Sequence, residues 1–348
     1  MKSNGRRAPT MEDVADEAGV SRALVSLVMR RAPNVSEQRR SAVLTAAKKL
    51  DYRPNAAARS LAQNRSNTFG VVLDDLHNPF FADLVDGIHE VADKHGYQVQ
   101  LNSGRLQQDG ERRAIESFLE YQVDGIIILG TRASAASLQS INKVAPIVSL
   151  GAGIEGIDSV FNDDERGAEL VVDHLADLGH TDIVHIAGGS GGGAKLRRAG
   201  FEQTMRKRGL TPRVVDGDYS DLSAVSAVEV LLAERSIPTA IFAANDVMAV
   251  AALNRLQHAK LRVPQDVSII GYDNTSLAAL HHISLSTINQ PRLEMGRHAA
   301  QCLIERLDEG RKAPVQHMVS PSLITRLTTG PAPDRRSSPS SPNHPLPL

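Results

Sequence analysis

Hydrophobic and polar residues along this chain follow a pattern that switches between two periods. Seven short apolar runs are separated by longer segments in which apolar residues recur at helical spacing. Short buried strands that alternate with amphipathic helices are typical of a doubly wound parallel α/β architecture. Seven or more strands over about 260 residues favour two lobes over a single sheet. The runs are Phe69–Leu73, Tyr97–Leu101, Gly125–Leu129, Pro146–Leu150, Ile183–Ala187, Ala240–Ala243 and Val267–Gly271.

In the stretch before these runs, apolar residues recur only at helical spacing. Thr10, with the acid Asp13 three residues later, resembles a capping box that opens a helix, and Gly19 is suited to end it. Ser21 is placed to cap a second helix that runs to about Arg30. Two short helices joined by a sharp turn predict a helix-turn-helix unit. The residues expected to be buried where the helices cross are Ala15, Val20 and Val25.

A third helix is predicted after Ser36, and it ends before Pro54, because the residue before a proline avoids the helical region. Asn55 could cap a further short helix from Ala56 to Ala62. A helix of this length is too short to be stable alone in water, so it could fold only on a partner. The apolar face expected on the third helix consists of Val43, Leu44, Ala47 and Leu50.

Charge is distributed unevenly, although the 348 residues carry a formal net charge of only −1. Residues 1–65 hold 13 Lys and Arg against 6 Asp and Glu, so this head has a charge of +7 and the remainder a charge of −8. A basic head on an acidic body indicates that the head alone meets a polyanion, although a solvated surface would have the same composition.

Composition and spacing exclude several other classes of protein. No apolar run is long enough to span a membrane, and no apolar signal segment follows the basic N-terminus, so we expect a cytosolic protein without a membrane partner. Cys302 is the one cysteine, which excludes an internal disulfide framework and a cysteine-based zinc site. His281 and His282 lack a carboxylate at a matching helical spacing, so we expect no metal and no cofactor.

The glycine-rich run Gly188–Lys195 follows a predicted strand and superficially resembles a phosphate-binding loop. The Walker pattern requires Gly-Lys-Ser/Thr, whereas here Ala194 precedes Lys195 and Leu196 follows it. We therefore expect a flexible loop at the rim of a pocket.

Four segments together make the chain similar to the LacI/GalR family of bacterial repressors. In order they read EDVADEAGVS, VSEQRR, LDYRPNAAARSLA and FGVVLDDLHNPFF, and the similarity runs from about Thr10 to about Gly330. The resemblance implies a sequence-specific transcriptional regulator, most often a repressor and not an enzyme, that is controlled by a small ligand. A homodimer is expected, because two heads are needed to bind a pseudo-palindromic operator in double-stranded DNA.

The resemblance also implies how the chain is divided. A helix-turn-helix DNA-binding domain at residues 1–54 is followed by a hinge helix and linker at 55–66. A periplasmic-binding-protein-like body of two lobes occupies 67–330, and the chain crosses between the lobes near 161, 290 and 320. The tail at 331–348 is rich in proline and serine, so we expect it to be disordered. It has no leucine heptad that would support a tetramerisation bundle.

By this resemblance, the helix after Ser21 is the recognition helix that enters the major groove. Leu61 matches the hinge-helix leucine that wedges into the minor groove and kinks the DNA, although an ordinary apolar residue of a linker helix would look the same. The positions that read bases are matched by Arg22, Ala23 and Leu27. Positions on or beside the DNA backbone are matched by Ser21, Leu24, Ser26, Arg30, Asn34, Ser36, Arg39, Tyr52 and Asn55.

The recognition helix departs from the family at one position that matters. The family often has Thr-Val-Ser-Arg-Val where this chain has Leu-Val-Ser-Leu-Val at residues 24–28. Leu27 removes the usual bidentate guanine contact, so we expect a different operator base there. Arg22, with Arg30 behind it, is the expected substitute, although a salt bridge or a phosphate contact would suit either arginine as well.

The effector is expected between the lobes, beyond the carboxyl ends of the strands, as in periplasmic sugar-binding proteins. Acids, amides and aromatic rings at these ends suit a sugar or a related polyol or nucleoside. By the resemblance, Arg197 grips the effector and Tyr219 stacks on it; a buried arginine must meet a polar ligand or a carboxylate. Of two adjacent phenylalanines, we expect one in the cleft and one in the core. The expected effector residues are Asp75, Asn78, Phe80, Phe81, Arg197, Tyr219, Asn245, Asp273 and Gln290.

Two positions beside these are expected not to bind the effector. Asp246 follows Asn245 but is expected to be structural. Gly151-Ala152-Gly153 stands where the family frequently has an acid or an arginine that faces the cleft. This replacement removes a ligand contact or leaves room for a larger ligand.

Two other functions share parts of the pattern. A solute-binding protein that feeds a transporter has the same body, but it needs a signal peptide and has no use for residues 10–62. A sugar-modifying enzyme with a nucleic-acid tether needs a catalytic constellation, and none stands out in the sequence.

Overall fold

The chain folds into two compact units, Met1–Ser66 and Asn67–Leu348, in the computed structural model. The structure describes residues 7, 9–30, 32–53, 65–105, 107–189, 191–234 and 237–334. Each unit has a hydrophobic core of its own. The hinge residues Asn55 and Leu61, expected to contact DNA, and residues 335–348 of the tail lie outside these ranges.

The first unit is built from three helices, α1 (Met11–Ala18), α2 (Arg22–Met29) and α3 (Glu37–Lys49). The capping box at the start of α1 is present: the Thr10 hydroxyl accepts from the Asp13 backbone N–H at 3.3 Å, and the Asp13 carboxylate accepts from the Thr10 N–H at 2.7 Å. Gly19 ends α1 with a left-handed φ of 64°, which glycine adopts at little cost. The Ser21 hydroxyl caps α2.

Small apolar side chains from all three helices form the core of this unit. Ala15 and Val25 are buried, as the helix-turn-helix pattern predicts, and Val20 is half-buried. The apolar face predicted for α3 is wrong at Leu44, which is 51 % exposed. Leu44 lies one position beyond the stripe that a helical period turns inward. That stripe consists of Val43, Ala46, Ala47 and Leu50.

The second unit contains two six-stranded sheets, which confirms the predicted two-lobed α/β architecture. The first lobe has the strand order β11-β5-β4-β3-β1-β2 and is parallel throughout. The second lobe has the order β12-β10-β9-β8-β6-β7 and is parallel except where β12 pairs with β10. The strands are β1 (Thr68–Leu73), β2 (Gln98–Ser103), β3 (Gly125–Leu129), β4 (Ile147–Leu150), β5 (Asp158–Asn162), β6 (Ile183–Ile186), β7 (Arg213–Val215), β8 (Ala240–Ala243), β9 (Ser268–Asp273), β10 (Ser286–Asn289), β11 (Gln316–Val319) and β12 (Ser322–Ile324).

Helices cover both sheets. Those of the first lobe are α4 (Phe80–Lys94), α5 (Gln108–Glu120), α6 (Ala135–Asn142) and α11 (Arg292–Leu307), and those of the second are α7 (Asp164–Asp177), α8 (Gly192–Lys207), α9 (Asp221–Ala233) and α10 (Asp246–His258). Helices α4 and α11 pack so closely that a Cβ atom at Gly296 would lie 2.1 Å from the Leu84 carbonyl oxygen. Within the described ranges, no helix combines the length and the apolar character needed to cross a membrane.

The chain passes between the lobes three times. It leaves the first lobe between β5 and α7, at residues 162–164, and returns between β10 and α11, at residues 289–292. It leaves again between β11 and β12, at residues 319–322. Neither lobe is therefore a continuous stretch of chain.

Five strands, β5, β7, β10, β11 and β12, are absent from the set that apolar runs predict. They have three to five residues each, and every one of them contains at least one polar residue. The strand β10 reads Ser-Thr-Ile-Asn, and Ser286 and Thr287 are fully buried. The Thr287 hydroxyl donates to Asp246 at 2.6 Å, so the buried polar atom has a partner. A search for apolar runs cannot find a strand whose buried side chains are hydrogen-bonded hydroxyls.

Candidate effector site and DNA-binding surface

A cavity of about 120 Å³ lies between the two lobes, beyond the carboxyl ends of their strands. The structure brings all nine predicted effector residues to its wall. Gly151 and Ala152, from the position expected to face the cleft, and Gly191 and Gly193, from the run expected at the pocket rim, also line it. The lining residues that the sequence did not indicate are Asp74, Gly130, Thr131, Arg132, Leu150 and Asp164.

The turn before α4 and its first residues form one part of the first-lobe wall. The Asp75 carboxylate accepts from the backbone N–H of His77 at 2.9 Å, and the Asn78 side chain accepts from that of Phe80 at 3.0 Å. These bonds fix the turn. Phe80 and Phe81 meet edge to face, with ring centroids 5.3 Å apart. Both rings line the cavity and both pack against the first-lobe core, so the expected division between one cleft and one core residue is not observed.

An ion pair that the sequence did not indicate completes this wall. Arg132 binds Asp74 through two contacts, Nε to Oδ1 at 3.3 Å and Nη2 to Oδ2 at 3.1 Å. Buried Glu111 fixes the loop by accepting from the Thr131 hydroxyl at 2.5 Å and from the Arg132 backbone N–H at 2.8 Å. Asp74 follows β1 and Arg132 follows β3, and these strands are neighbours in the sheet. The pair therefore becomes visible only once the strand order is known.

Arg197 is buried in the second-lobe wall, where it is already paired. Its Nε donates to Asp164 at 3.0 Å and its Nη1 to the Ala244 carbonyl oxygen at 2.6 Å. Its guanidinium carbon lies 3.7 Å from the centroid of the Tyr272 ring, whose hydroxyl donates to Asp164 at 2.8 Å. A buried arginine needs a carboxylate or a polar ligand, and Asp164 is that carboxylate. Sequence reasoning missed Asp164 because it comes from a different strand end, 33 residues away.

Asp273 and Gln290 lie next to Arg197 in the same wall. The Gln290 side chain donates to Asp273 Oδ1 at 2.7 Å, and Arg197 Nη1 lies 3.8 Å from the same oxygen. Burial raises the pKa of Asp273 well above the ordinary carboxyl range, although Arg197 opposes the shift. The Asp273 backbone has a left-handed φ of 112°, which is costly for a residue with a Cβ atom. The surrounding structure therefore holds this carboxylate in the cavity against a local conformational preference.

Asn245 and Tyr219 line the cavity and also stabilise the second lobe. Asn245 caps α10 by accepting from the Met248 N–H at 2.8 Å, and its Nδ2 lies 3.4 Å from the Tyr219 carbonyl oxygen. The Tyr219 ring lies against the glycine-rich run, because a Cβ atom at Gly188 would be 2.4 Å from a ring carbon. The close approach of the Tyr219 ring explains why residue 188 is a glycine. A phosphate-binding role is not needed to account for it.

Of the residues that were expected not to bind the effector, one lies outside the cavity and two line its wall. Asp246 is fully buried, does not line the cavity, and accepts from the Thr287 hydroxyl and the Thr275 N–H, both at 2.6 Å. Gly151 and Ala152 line the first-lobe wall without offering a polar side chain. In the part of the chain that the structure describes, no three His, Cys, Asp or Glu side chains are grouped so that they could hold a metal ion.

Most of the residues expected to contact DNA are exposed on the first unit. The Arg22 side chain is 70 % exposed, and its Nε lies 3.8 Å from Glu12. Arg30 donates to the Ser26 hydroxyl at 2.6 Å, a contact that orients it along α2. The half-buried members of the set are Leu24, Ser26 and Tyr52, and the exposed members are Ser21, Arg22, Ala23, Leu27, Arg30, Asn34, Ser36 and Arg39.

Known proteins match both units of the chain. Residues 10–55 match the model of bacterial regulatory proteins of the lacI family, and residues 172–329 match the periplasmic binding protein-like domain. Catabolite control protein A of Priestia megaterium is 36 % identical over 310 residues, which cover 86 % of this chain and 93 % of that protein. The HTH-type transcriptional repressor PurR of Aliivibrio fischeri (strain ATCC 700601 / ES114) is 34 % identical over 328 residues, which cover 91 % and 97 %. This chain belongs to the lacI family.

Solved structures of transcriptional regulators extend the match to more than nine tenths of the chain. The lac repressor dimer bound to operator and the anti-inducer ONPF is 30 % identical, with a TM-score of 0.83 over 93 % of this chain and 100 % of that one. The complex of the transcriptional regulator CelR with cellobiose is 30 % identical, with a TM-score of 0.70 over 92 % and 99 %. The chain is thus a DNA-binding transcriptional repressor of the lacI family that small-molecule effectors regulate, and its relatives are regulators, not enzymes.

Proposed function

We propose that this lacI-family repressor binds a pseudo-palindromic operator as a homodimer. An uncharged polyhydroxylated molecule, such as a sugar, a polyol or a nucleoside, controls it from the cavity between the lobes. The observation that carries the proposal is that both cavity arginines are paired with carboxylates of the protein itself. A regulator that binds the chromosome works in the cytoplasm, which is where we place it.

The charge on the cavity wall favours an uncharged ligand. Among the lining residues that the structure describes, four carboxyl groups face two guanidinium groups: Asp74, Asp75, Asp164 and Asp273 against Arg132 and Arg197. Burial raises the pKa of Asp273, and the other three carboxyl groups alone outnumber the two guanidinium groups. Asp74 binds Arg132 and Asp164 binds Arg197, so an anionic ligand would have to displace one of these contacts and leave a carboxylate unpaired. A ligand hydroxyl can instead donate to a carboxylate oxygen while the arginine stays in place.

Aromatic residues support a ligand with a ring. Phe80, Phe81 and Tyr219 bring aromatic surface to a cavity that also has charged and amide side chains in its walls. A sugar ring or a nucleoside base presents a face that packs on such rings, while its polar edge takes hydrogen bonds. CelR, a relative 30 % identical to this chain, forms a complex with the sugar cellobiose.

On the DNA side, the exposed start of α2 supports its role as the recognition helix. Arg22 is the first residue of α2, and its side chain is exposed enough to reach a base edge. Leu27 is 42 % exposed although it is apolar, which suits contact with a thymine methyl group better than a hydrogen bond to guanine. We infer that the operator differs from the family's usual sequence at the base pair that faces Leu27.

A change in operator binding with added ligand, measured by fluorescence anisotropy, tests this function. The protein is first bound to a labelled fragment of the DNA upstream of its own gene. Neutral sugars, polyols and nucleosides are then added, each paired with its own phosphate ester. We expect a neutral compound to change operator affinity by roughly 5- to 150-fold, the usual range of allosteric coupling, and its phosphate ester to have no effect. A phosphate ester that acts where its neutral parent does not would contradict the ligand class.

A further inference from the structure

One arginine binds both lobes at a place where the chain crosses between them. Arg292, the first residue of α11, is buried. Toward the first lobe, its Nε and Nη2 donate to the Asp83 carboxylate at 2.9 and 2.6 Å. Toward the second lobe, its Nη1 donates to the Asp273 carbonyl oxygen and its Nη2 to the Asn274 carbonyl oxygen, the latter at 2.9 Å. A single guanidinium group thus connects a helix of one lobe with the end of a strand of the other.

The residues at the two ends of this connection belong to elements that form opposite walls of the cavity. Asp273 places its carboxylate in the cavity while its carbonyl oxygen binds Arg292. Asp83 lies on α4 one turn after Phe80, whose ring lines the opposite wall. A ligand that moves Asp273 or the start of α4 therefore moves a partner of Arg292.

The backbone at Asp273 and Asn274 requires such support. Both residues have left-handed φ angles, 112° and 53°. Non-glycine residues keep this conformation only where their surroundings hold them in it. Arg326 and Asn289 bind the Asn274 side chain at 2.7 and 3.0 Å, and Arg292 binds the carbonyl groups of both residues. Of these contacts, the one from Arg292 is the one that also reaches Asp83 in the first lobe.

We propose that Arg292 is a positioning residue of the effector site, which holds the Asp273 carboxylate in the cavity and sets the separation of the lobes when no ligand is bound. A guanidinium group has five donors in a rigid planar fork, so it can bind a carboxylate and two carbonyl oxygens at once. The inference rests on the proposed function, because it treats the cavity as the effector site. The connection between the lobes can nevertheless be tested without any ligand.

Distances between nitroxide labels on the two lobes, measured by pulsed electron paramagnetic resonance, provide the test. Val144→Cys in the first lobe and Thr211→Cys in the second lie at exposed positions, and Cys302→Ala removes the native thiol. Mixing with an excess of unlabelled chain leaves one labelled protomer per dimer. We expect the unsubstituted protein to give a single narrow distance. In Arg292→Met, we expect the mean distance to shift by about 2 Å or more, the scale of a domain rearrangement.

Arg297→Met is the matched control, because Arg297 also lies on α11 and binds a carboxylate of α4, that of Glu90, at 2.8 Å. That pair stays within the first lobe, so we expect the distance to remain unchanged. If Arg292→Met does not fold, Asp83→Asn replaces it as the test variant, because it weakens the same connection at its half-exposed end. Asp83→Glu keeps the carboxylate and should restore the original distance.

An unchanged distance in whichever of Arg292→Met and Asp83→Asn folds would overturn the proposal. An equal shift in Arg297→Met would overturn it as well, because the effect would then not depend on a contact between the lobes. Neither result bears on the proposed function, which fails on a different measurement, the response of operator binding to neutral ligands.

Discussion

At the scale of single residues, Arg197 combines a cavity position with an internal structural role. Its side chain is 8 % exposed and that of Asp164 is 4 % exposed, so the pair is removed from water. We expect Arg197→Ala to lower the free energy of unfolding by about 3–5 kcal/mol, because it leaves a buried carboxylate without its cation. Urea unfolding measures this change.

The next residue offers a control for that prediction. Arg198 pairs with Glu202 at 2.9 Å, but its side chain is 48 % exposed. We expect Arg198→Ala to change the free energy of unfolding by less than about 1 kcal/mol, as is usual for surface ion pairs. Equal losses in the two variants would show that Asp164 tolerates the absence of Arg197. Any loss of effector response in Arg197→Ala has to be compared with this loss of stability.

Arg22 allows a test of base recognition. We expect Arg22→Ala to weaken operator binding by about 1–3 kcal/mol and to affect random DNA much less, because a base contact is lost while the phosphate contacts remain. Anisotropy titrations with operator and with scrambled DNA at one salt concentration measure both effects. Arg39→Ala, at a position expected to face the DNA backbone, should weaken both complexes alike. If Arg22→Ala also weakened both alike, Arg22 would contact phosphate only.

At the scale of elements, the helix pair α4 and α11 depends on two glycines that permit backbone contact. A Cβ atom at Gly87 would lie 2.2 Å from the Leu293 carbonyl oxygen, and one at Gly296 would lie 2.1 Å from that of Leu84. Gly296→Ala would therefore push the helices apart, and we expect it to destabilise the body by about 1–3 kcal/mol. Thermal unfolding is the measurement, with Arg297→Ala, at a half-exposed site on α11, as the control. A melting temperature for Gly296→Ala equal to that of the control would show that the helix pair can adjust.

The strands that the sequence predicts are those whose buried side chains are apolar. Strand β3 is five buried residues without a polar side chain among them, and its pattern is unambiguous. Strand β10 is largely buried too, but through Ser286 and Thr287, whose hydroxyls have specific partners. Such a strand can be identified only when the partner is known.

The same distinction applies to the cavity. Eight of the nine effector residues that the sequence indicated follow or end a strand, or begin the helix after it. Arg197 lies in the second turn of α8, and the family resemblance indicated it. Asp164 and Arg132 are missing from that set because their roles depend on partners from other strand ends. Which side chains from different strand ends meet depends on the order of the strands in the sheet, and local sequence does not encode that order.

At the scale of the whole molecule, buried carboxylates make stability depend on pH. Burial raises the pKa of Asp273 and of Asp246 above the ordinary carboxyl range. The folded state then holds these protons more tightly than the unfolded state. The stability that they contribute is complete below about pH 4, where unfolded Asp is protonated, and is lost as the pH rises through the folded pKa. We expect the melting temperature to fall from about pH 4 towards neutral pH, and Asp273→Asn to flatten that slope.

Asp266 supplies the control with the opposite sign. Arg262 lowers the pKa of this half-buried carboxylate to about 2. Its contribution is therefore present above about pH 4 and is lost as the pH falls towards 2. Asp266→Asn should lower the stability by a constant amount above about pH 4 and change the slope of the profile only on the acid side. Identical slopes above pH 4 in Asp273→Asn and the unsubstituted protein would show that Asp273 is not the group responsible.

Because the chain passes between the lobes three times, neither lobe can be completed before the last part of the body has been synthesised. The first lobe lacks its central helix until residues 292–307 are made and an edge strand until 316–319, and the second lobe lacks an edge strand until 322–324. The helix-turn-helix unit, in contrast, is one continuous segment with its own core and leaves the ribosome before the body. Each new molecule thus has its helix-turn-helix unit while the body is still being made, before it acquires the cavity that we propose as the effector site.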